Sequence, residues 1–220
     1  GQLIKMAVEM AIEEINGSGG IKSLKGAKLV AVFGNSTSVD EAITETNRMI
    51  SRDKVSAIVG AYSSGATISS TVIAERNKIP YLVPNALADE ITARGLKFVF
   101  KTVPHFSQYA INSGEMVMQL SGGQAKTCAL VRENNFFGNV VSREFTKHIG
   151  NFNLKLLKDN VFPTNPTTFE DVIISLKRDN PDVVFASGEP SSITLLFKQL
   201  AELKYWPKMG WVGLGGGYTN

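Results

Sequence analysis

Apolar runs alternate with helical periods, and the alternation runs through the chain twice, which predicts an α/β protein of two lobes, each a parallel sheet flanked by helices. Two β-to-α turns carry the first half of this reading. The run 55–59 empties into Gly60-Ala61-Tyr62-Ser63-Ser64-Gly65 ahead of a helical pattern over 66–77, and the run 79–83 empties into Pro84-Asn85-Ala86-Leu87. A polar, Gly-containing break over 100–123 separates the two passes, placing lobe one at residues 1–103 and lobe two at 104–220, joined near 101–104. A single large doubly wound sheet is the competing arrangement, which periodicity leaves open.

The elements follow in order. Leu3, Ile4, Ala7, Val8, Ala11, Ile12 and Ile15 keep the helical period and stop at Asn16-Gly17-Ser18-Gly19-Gly20, so the chain begins with a helix. Residues 28–33 read as a strand and 40–50 as a helix with Ala42, Ile43, Thr46, Met49 and Ile50 inward. After the two turns come a strand at 98–104 that ends at a proline and a helix over 107–120. Lobe two reads as strands at 127–131, 154–157 and 183–186 with a last one near Trp211, and helices at 140–149, 169–178 and 193–203.

The first turn places Tyr62, Ser63 and Ser64 at a helix N-terminus, where free backbone N–H groups and the helix dipole attract a carboxylate or phosphate. Asn85, Ala86 and Leu87 end the neighbouring strand, so both turns mark a crevice at the carboxyl edge of a parallel sheet. Ordinary βα turns are the plainer alternative. In lobe two, Asn134-Asn135-Phe136-Phe137-Gly138 reads as a loop between strand and helix, with its aromatics as core or as a ligand wall. Glu189, in Ser187-Gly188-Glu189-Pro190, reads as the one carboxylate in a turn at this kind of edge. It could pair with a cationic ligand group, or simply complement the N-terminus of the next helix.

Composition narrows the function classes. The 220 residues are 43% hydrophobic and 20% charged, ordinary for a globular protein. No run approaches the ~20 apolar residues of a membrane span. The net charge of +3 is spread along the chain, which leaves nucleic-acid binding without an electrostatic footprint. Cys128, the only cysteine, lies in an apolar run and reads as a packed core thiol. No targeting segment is read at the start, but the chain opens in mid-pattern, so one could have been removed. Serine hydrolysis lacks the Gly-x-Ser-x-Gly elbow, since the glycine before Ser63 stands at Gly60, and neither His105 nor His148 has a recognisable acid partner. No phosphate loop occurs, and the cluster Gly213-Leu214-Gly215-Gly216-Gly217 has no helix behind it. Glu13-Glu14 and Asp89-Glu90 read as solvated faces or first turns rather than metal ligands. The expectation is therefore a binding protein with no catalytic residue, metal or cofactor.

Taken in order, Ala7-Val8-Glu9 through Glu14-Ile15-Asn16 with Gly19-Gly20-Ile21, Val59-Gly60 with Ser63-Ser64, Pro84-Asn85-Ala86, Phe100-Lys101-Thr102 and Phe137-Gly138 resemble one family. It is the branched-chain amino-acid-binding family, the Leu/Ile/Val-type solute receptors of ABC importers. The resemblance implies a type I periplasmic-binding fold in which a solute is trapped as two lobes close. It implies that Ser64 and the backbone at Asn85, Ala86 and Leu87 hold the solute's carboxylate and amine, while Phe137 and Glu189 close over it from lobe two. Three positions depart from the family pattern: Leu87 replaces a hydroxyl residue, Glu189 an aromatic, and about Gly215 an acidic ammonium anchor. Glu189 is then the carboxylate left to meet an ammonium group. The family also includes receptors for amides, urea and aromatic acids, so the solute stays open.

The resemblance further implies a strand missing before Gly1 and a C-terminal section missing after Asn220, hence a partial chain. The expected partners are a small-molecule solute and the membrane permease of an ABC importer, with no nucleic acid, for a monomer in the periplasm or outside the cell, lipid-anchored in one variant. A ligand-sensing module of a receptor or regulator with the same fold is the alternative.

Overall fold

The computed structural model describes residues 1–215, and Gly216 and Gly217 of the glycine cluster lie outside them. The chain divides into two compact units, Gly1–Val103 and a second from Pro104 onward.

In unit one, α1 (Gln2–Gly17) is followed by α2 (Val39–Ser51), β1 (Ile58–Val59), α3 (Ser64–Arg76), β2 (Tyr81–Val83), the short α4 (Glu90–Ala93) and β3 (Val99–Lys101). The strands form a parallel sheet in the order β1-β2-β3. One sheet face buries Ile58, Tyr81, Val83 and Val99, and the other exposes Val59, Leu82 and Phe100. Ser38 caps α2 by accepting from Glu41 N–H at 3.1 Å. Small side chains let helix, strand end and helix approach closely: Ala42, Ala61 and Ala66 form one buried cluster, and Ser70 Oγ donates to the Ala42 carbonyl at 3.5 Å.

The strand expected at 28–33 is not there. A strand is a pairing, and this segment joins no ladder among the described residues. It runs as unpaired backbone, held by side chains: Asn16 exchanges two 2.8 Å hydrogen bonds with the Leu29 backbone, and Arg48 Nη2 donates to the Phe33 carbonyl at 2.9 Å. Val30 is 85% exposed, so its apolar side chain has no sheet face to join.

Unit two contains α5 (Phe106–Leu120), β4 (Thr127–Glu133), α6 (Phe136–Ile149), β5 (Lys155–Phe162), α7 (Glu170–Asp179), β6 (Val183–Ser187), α8 (Pro190–Glu202) and β7 (Trp211–Gly213). Its parallel sheet has the order β5-β4-β6-β7. A continuous core joins Ala129, Val131, Phe162, Val184 and Ala186 of the strands to Ile173, Leu176, Leu196 and Leu200 of α7 and α8. Phe145 of α6 packs against Phe185 at 4.6 Å between ring centroids. The expected core thiol is found: Cys128 is fully buried, and desolvation pushes its thiol up to about 12. β5 extends well past the run 154–157, because it is an edge strand whose polar Lys158, Asp159 and Asn160 interrupt the apolar signal.

The loop expected over 134–138 is largely helix. Asn135 caps α6 by accepting from Gly138 N–H at 2.8 Å, so Phe136 and Phe137 form the first turn. Asn135→Ala is expected to destabilise the protein by about 1 kcal/mol, the usual worth of such a cap, seen as a lower midpoint in thermal unfolding.

Candidate functional site

In unit one, the candidate residues stand at the carboxyl edge of the sheet. β1 ends and α3 starts within a few residues, and Ser63 caps α3 by accepting from Ala66 N–H at 3.3 Å. Thr67 Oγ1 donates to the Ser63 carbonyl at 2.8 Å, and Ala61 N–H donates back to Thr67 Oγ1 at 3.2 Å, which fixes the turn through Tyr62. The positive end of a 13-residue helix therefore faces the strand edge.

The loop after β2 is braced onto this turn. Asn85 Nδ2 donates to the Tyr62 carbonyl at 3.1 Å, and Ala88 N–H donates to Ser64 Oγ at 3.3 Å. Farther along, Arg94 donates to the Ile68 carbonyl (3.1 Å) and Thr71 Oγ1 (2.7 Å), tying α4 to α3. The structure thus brings Tyr62, Ser63, Ser64, Asn85, Ala86 and Leu87 together at one edge. Ser64 is 3% exposed, which makes it the floor of that edge rather than its rim. The Leu87 carbonyl, a backbone acceptor the resemblance offers to an amine, already receives Lys101 Nζ at 2.8 Å.

Lys101 stands in the Phe100-Lys101-Thr102 run that carries the resemblance, but the sequence gives it no role in the site. Its half-buried ammonium also donates to the Ala88 carbonyl at 3.2 Å, and desolvation lowers its pKa to about 8 despite the charges of Asp89 and Glu90.

Phe137 and Glu189 lie at the corresponding edge of unit two, after the neighbouring strands β4 and β6. Phe137 stands in the first turn of α6, not in a loop, and its ring meets Phe106 edge-on at 5.5 Å. Gly138 allows this turn to begin where it does, because a Cβ there would lie 1.8 Å from the Glu133 carbonyl oxygen. Glu189 occupies the N-cap position of α8 without a side-chain capping bond, ahead of Pro190. Desolvation and the nearby charge of Glu133 hold its carboxyl above the usual range.

Glu133 corrects the reading of Glu189 as the one carboxylate at this edge. It is 2% exposed, and its Oε2 accepts from Glu189 N–H at 3.1 Å. Its place at the end of β4 was readable; its burial beside Glu189 needed the crossover of β6 onto β4. His148 also has an acid neighbour, Glu144, one helical turn away at 3.8 Å.

These units, each a parallel sheet flanked by helices with a polar strand edge, define a type I periplasmic-binding fold. A sequence profile described as periplasmic binding protein matches residues 1–220. The chain is 31% identical over 218 residues to Leu/Ile/Val-binding protein homolog 7 of Brucella abortus, covering 96% of this chain and 54% of that protein. Its fold is similar to LivJ, a branched-chain amino acid transporter substrate binding protein from Streptococcus pneumoniae in complex with isoleucine (TM-score 0.81, 24% identity, 93% of this chain and 56% of that one). It is likewise similar to an ABC transporter solute binding protein from Rhodopseudomonas palustris in complex with 3,4-dihydroxybenzoic acid (TM-score 0.82, 20% identity, 96% and 56%). The chain belongs to the periplasmic binding protein family. It spans about half the length of the relatives it matches.

Proposed function

We propose that this chain forms the solute-recognising part of a periplasmic or extracellular binding protein, free or lipid-anchored. In this reading the protein works as a monomer and delivers a small carboxylate-bearing solute, an amino acid or a relative, to the membrane permease of an ABC importer. The observation that carries the reading is the strand edge at Ser64, where a buried hydroxyl and the N-terminus of α3 converge. Such an edge favours an anion through helix dipole and N–H donors. The hydroxyls of Ser63 and Ser64 already accept from backbone N–H groups, which supports binding rather than nucleophilic attack. Among the described residues no helix is long and apolar enough to cross a membrane. Isoleucine and 3,4-dihydroxybenzoic acid, found with the similar structures, are both carboxylates.

A thermal-shift screen of amino acids, amides and aromatic acids on the complete polypeptide tests the reading. A carboxylate that binds the native state raises its melting temperature by mass action. A rise with uncharged amides and none with any carboxylate would refute it.

Glu189 and Glu133 together supply an anionic edge for a solute that also carries an ammonium. Glu189→Gln is expected to weaken an amine-bearing solute about tenfold or more while sparing a purely anionic one, since an unpaired buried charge is costly. Because the Glu189 pKa is raised, affinity for the amine should fall as pH drops toward it. Isothermal titration showing equal affinity for variant and wild type would leave Glu189 as a helix-end charge.

A further inference from the structure

We infer that Lys101 is the positioning residue of the carboxylate edge, acting on Ser64 through one peptide group. The peptide between Leu87 and Ala88 is held at both ends: its carbonyl accepts from Lys101 Nζ at 2.8 Å, and its N–H donates to Ser64 Oγ at 3.3 Å. A second donation from Nζ to the Ala88 carbonyl at 3.2 Å fixes the next peptide as well. The chain of contacts therefore runs ammonium, peptide, hydroxyl, and rests on the reading of Ser64 as the donor to a solute carboxylate.

The physical consequence is directional. A cationic donor on the carbonyl polarises the peptide and strengthens its N–H as a donor. That N–H engages an oxygen lone pair of Ser64, so the hydroxyl has its proton to give to a solute. Lys101 is half-buried at the last position of β3, and the acidic groups facing it are Asp89 and Glu90, just after the loop it holds. Desolvation brings its pKa down to about 8, so its charge is lost within an accessible pH range. Edge geometry and affinity should then both depend on that proton.

The test uses the complete polypeptide as wild type, Lys101→Met and Lys101→Arg, with L-isoleucine and benzoate as probes. In the ligand-free protein, amide exchange at Ala88 should accelerate in Lys101→Met and stay near wild type in Lys101→Arg. For the probe that binds, wild-type affinity should fall about fivefold from about pH 7 to about pH 9.5, the difference between charged and neutral hydrogen bonding. Lys101→Arg should lack that component, because guanidinium stays charged. Unchanged Ala88 exchange in Lys101→Met, or the same pH profile in wild type and Lys101→Arg, would overturn the inference. Faster Ala88 exchange with neither carboxylate bound at any pH would support the positioning of the loop by Lys101 and defeat the carboxylate reading instead.

Discussion

Replacing Ser64 by alanine is expected to weaken binding of a carboxylate solute by tenfold to a hundredfold. A hydrogen bond to a charged group contributes about 1.5–3 kcal/mol, and here the donor sits at the positive end of α3, where the dipole adds to it. The substitution also strands the Ala88 N–H, whose acceptor is Ser64 Oγ. A buried donor left without an acceptor costs about 1–3 kcal/mol, so a modest fall in melting temperature should accompany the affinity loss. The two effects separate experimentally: the affinity loss should be large for a carboxylate and small for its uncharged analogue, while the stability loss is the same for both. Isothermal titration with equal carboxylate affinities for variant and wild type would remove Ser64 from the site.

The largest stability effect is expected at Gly138. A Cβ at this position would stand 1.8 Å from the Glu133 carbonyl oxygen, a backbone atom that only a shift of β4 or α6 could relieve. Gly138→Ala is expected to destabilise the protein by about 3 kcal/mol, the upper range for forced overpacking. The shift would also displace Phe137 in the first turn of α6 and Glu133 at the end of β4, and on the proposed reading of the unit-two edge solute affinity should fall along with the melting temperature. Gly150 makes a fair control, since a Cβ there would meet nothing within 4 Å. Equal denaturant midpoints for Gly138→Ala and Gly150→Ala would show that α6 can begin elsewhere without strain.

Much of the fold was legible because strong periods leave little choice. α1, α2, α5 and α8 show apolar residues at helical spacing, and β4 and β6 are continuous apolar runs, as strands buried on both faces must be. Residues 28–33 failed by the same rule. Their composition suits a strand, but a strand depends on a partner that no local pattern specifies, and here Asn16 and Arg48 hold the backbone instead. The start of α6 departs from the sequence expectation for a different reason. Two phenylalanines between asparagine and glycine look like a loop, yet Asn135 followed three residues later by an available N–H is a capping arrangement.

The candidate site divides in the same way. Ser63, Ser64 and Asn85 stand in turns that a sequence exposes directly, because Gly, Ser and Asn at strand ends have few other uses. Lys101 and Glu133 do not, since each ends a strand like many others. Their roles depend on contacts that cross strands: Lys101 reaches the loop after β2, and Glu133 meets the backbone of Glu189 after β6. Such contacts follow from sheet order, which periodicity leaves unspecified.

Isothermal titration of the complete polypeptide with a carboxylate and its primary amide of otherwise identical structure would decide whether the Ser64 edge is built for an anion. The carboxylate should bind at least tenfold more tightly, and Ser64→Ala should close most of that gap, because the discrimination arises from charge-assisted hydrogen bonds and the α3 dipole. Equal affinities, or tighter binding of the amide, would contradict it.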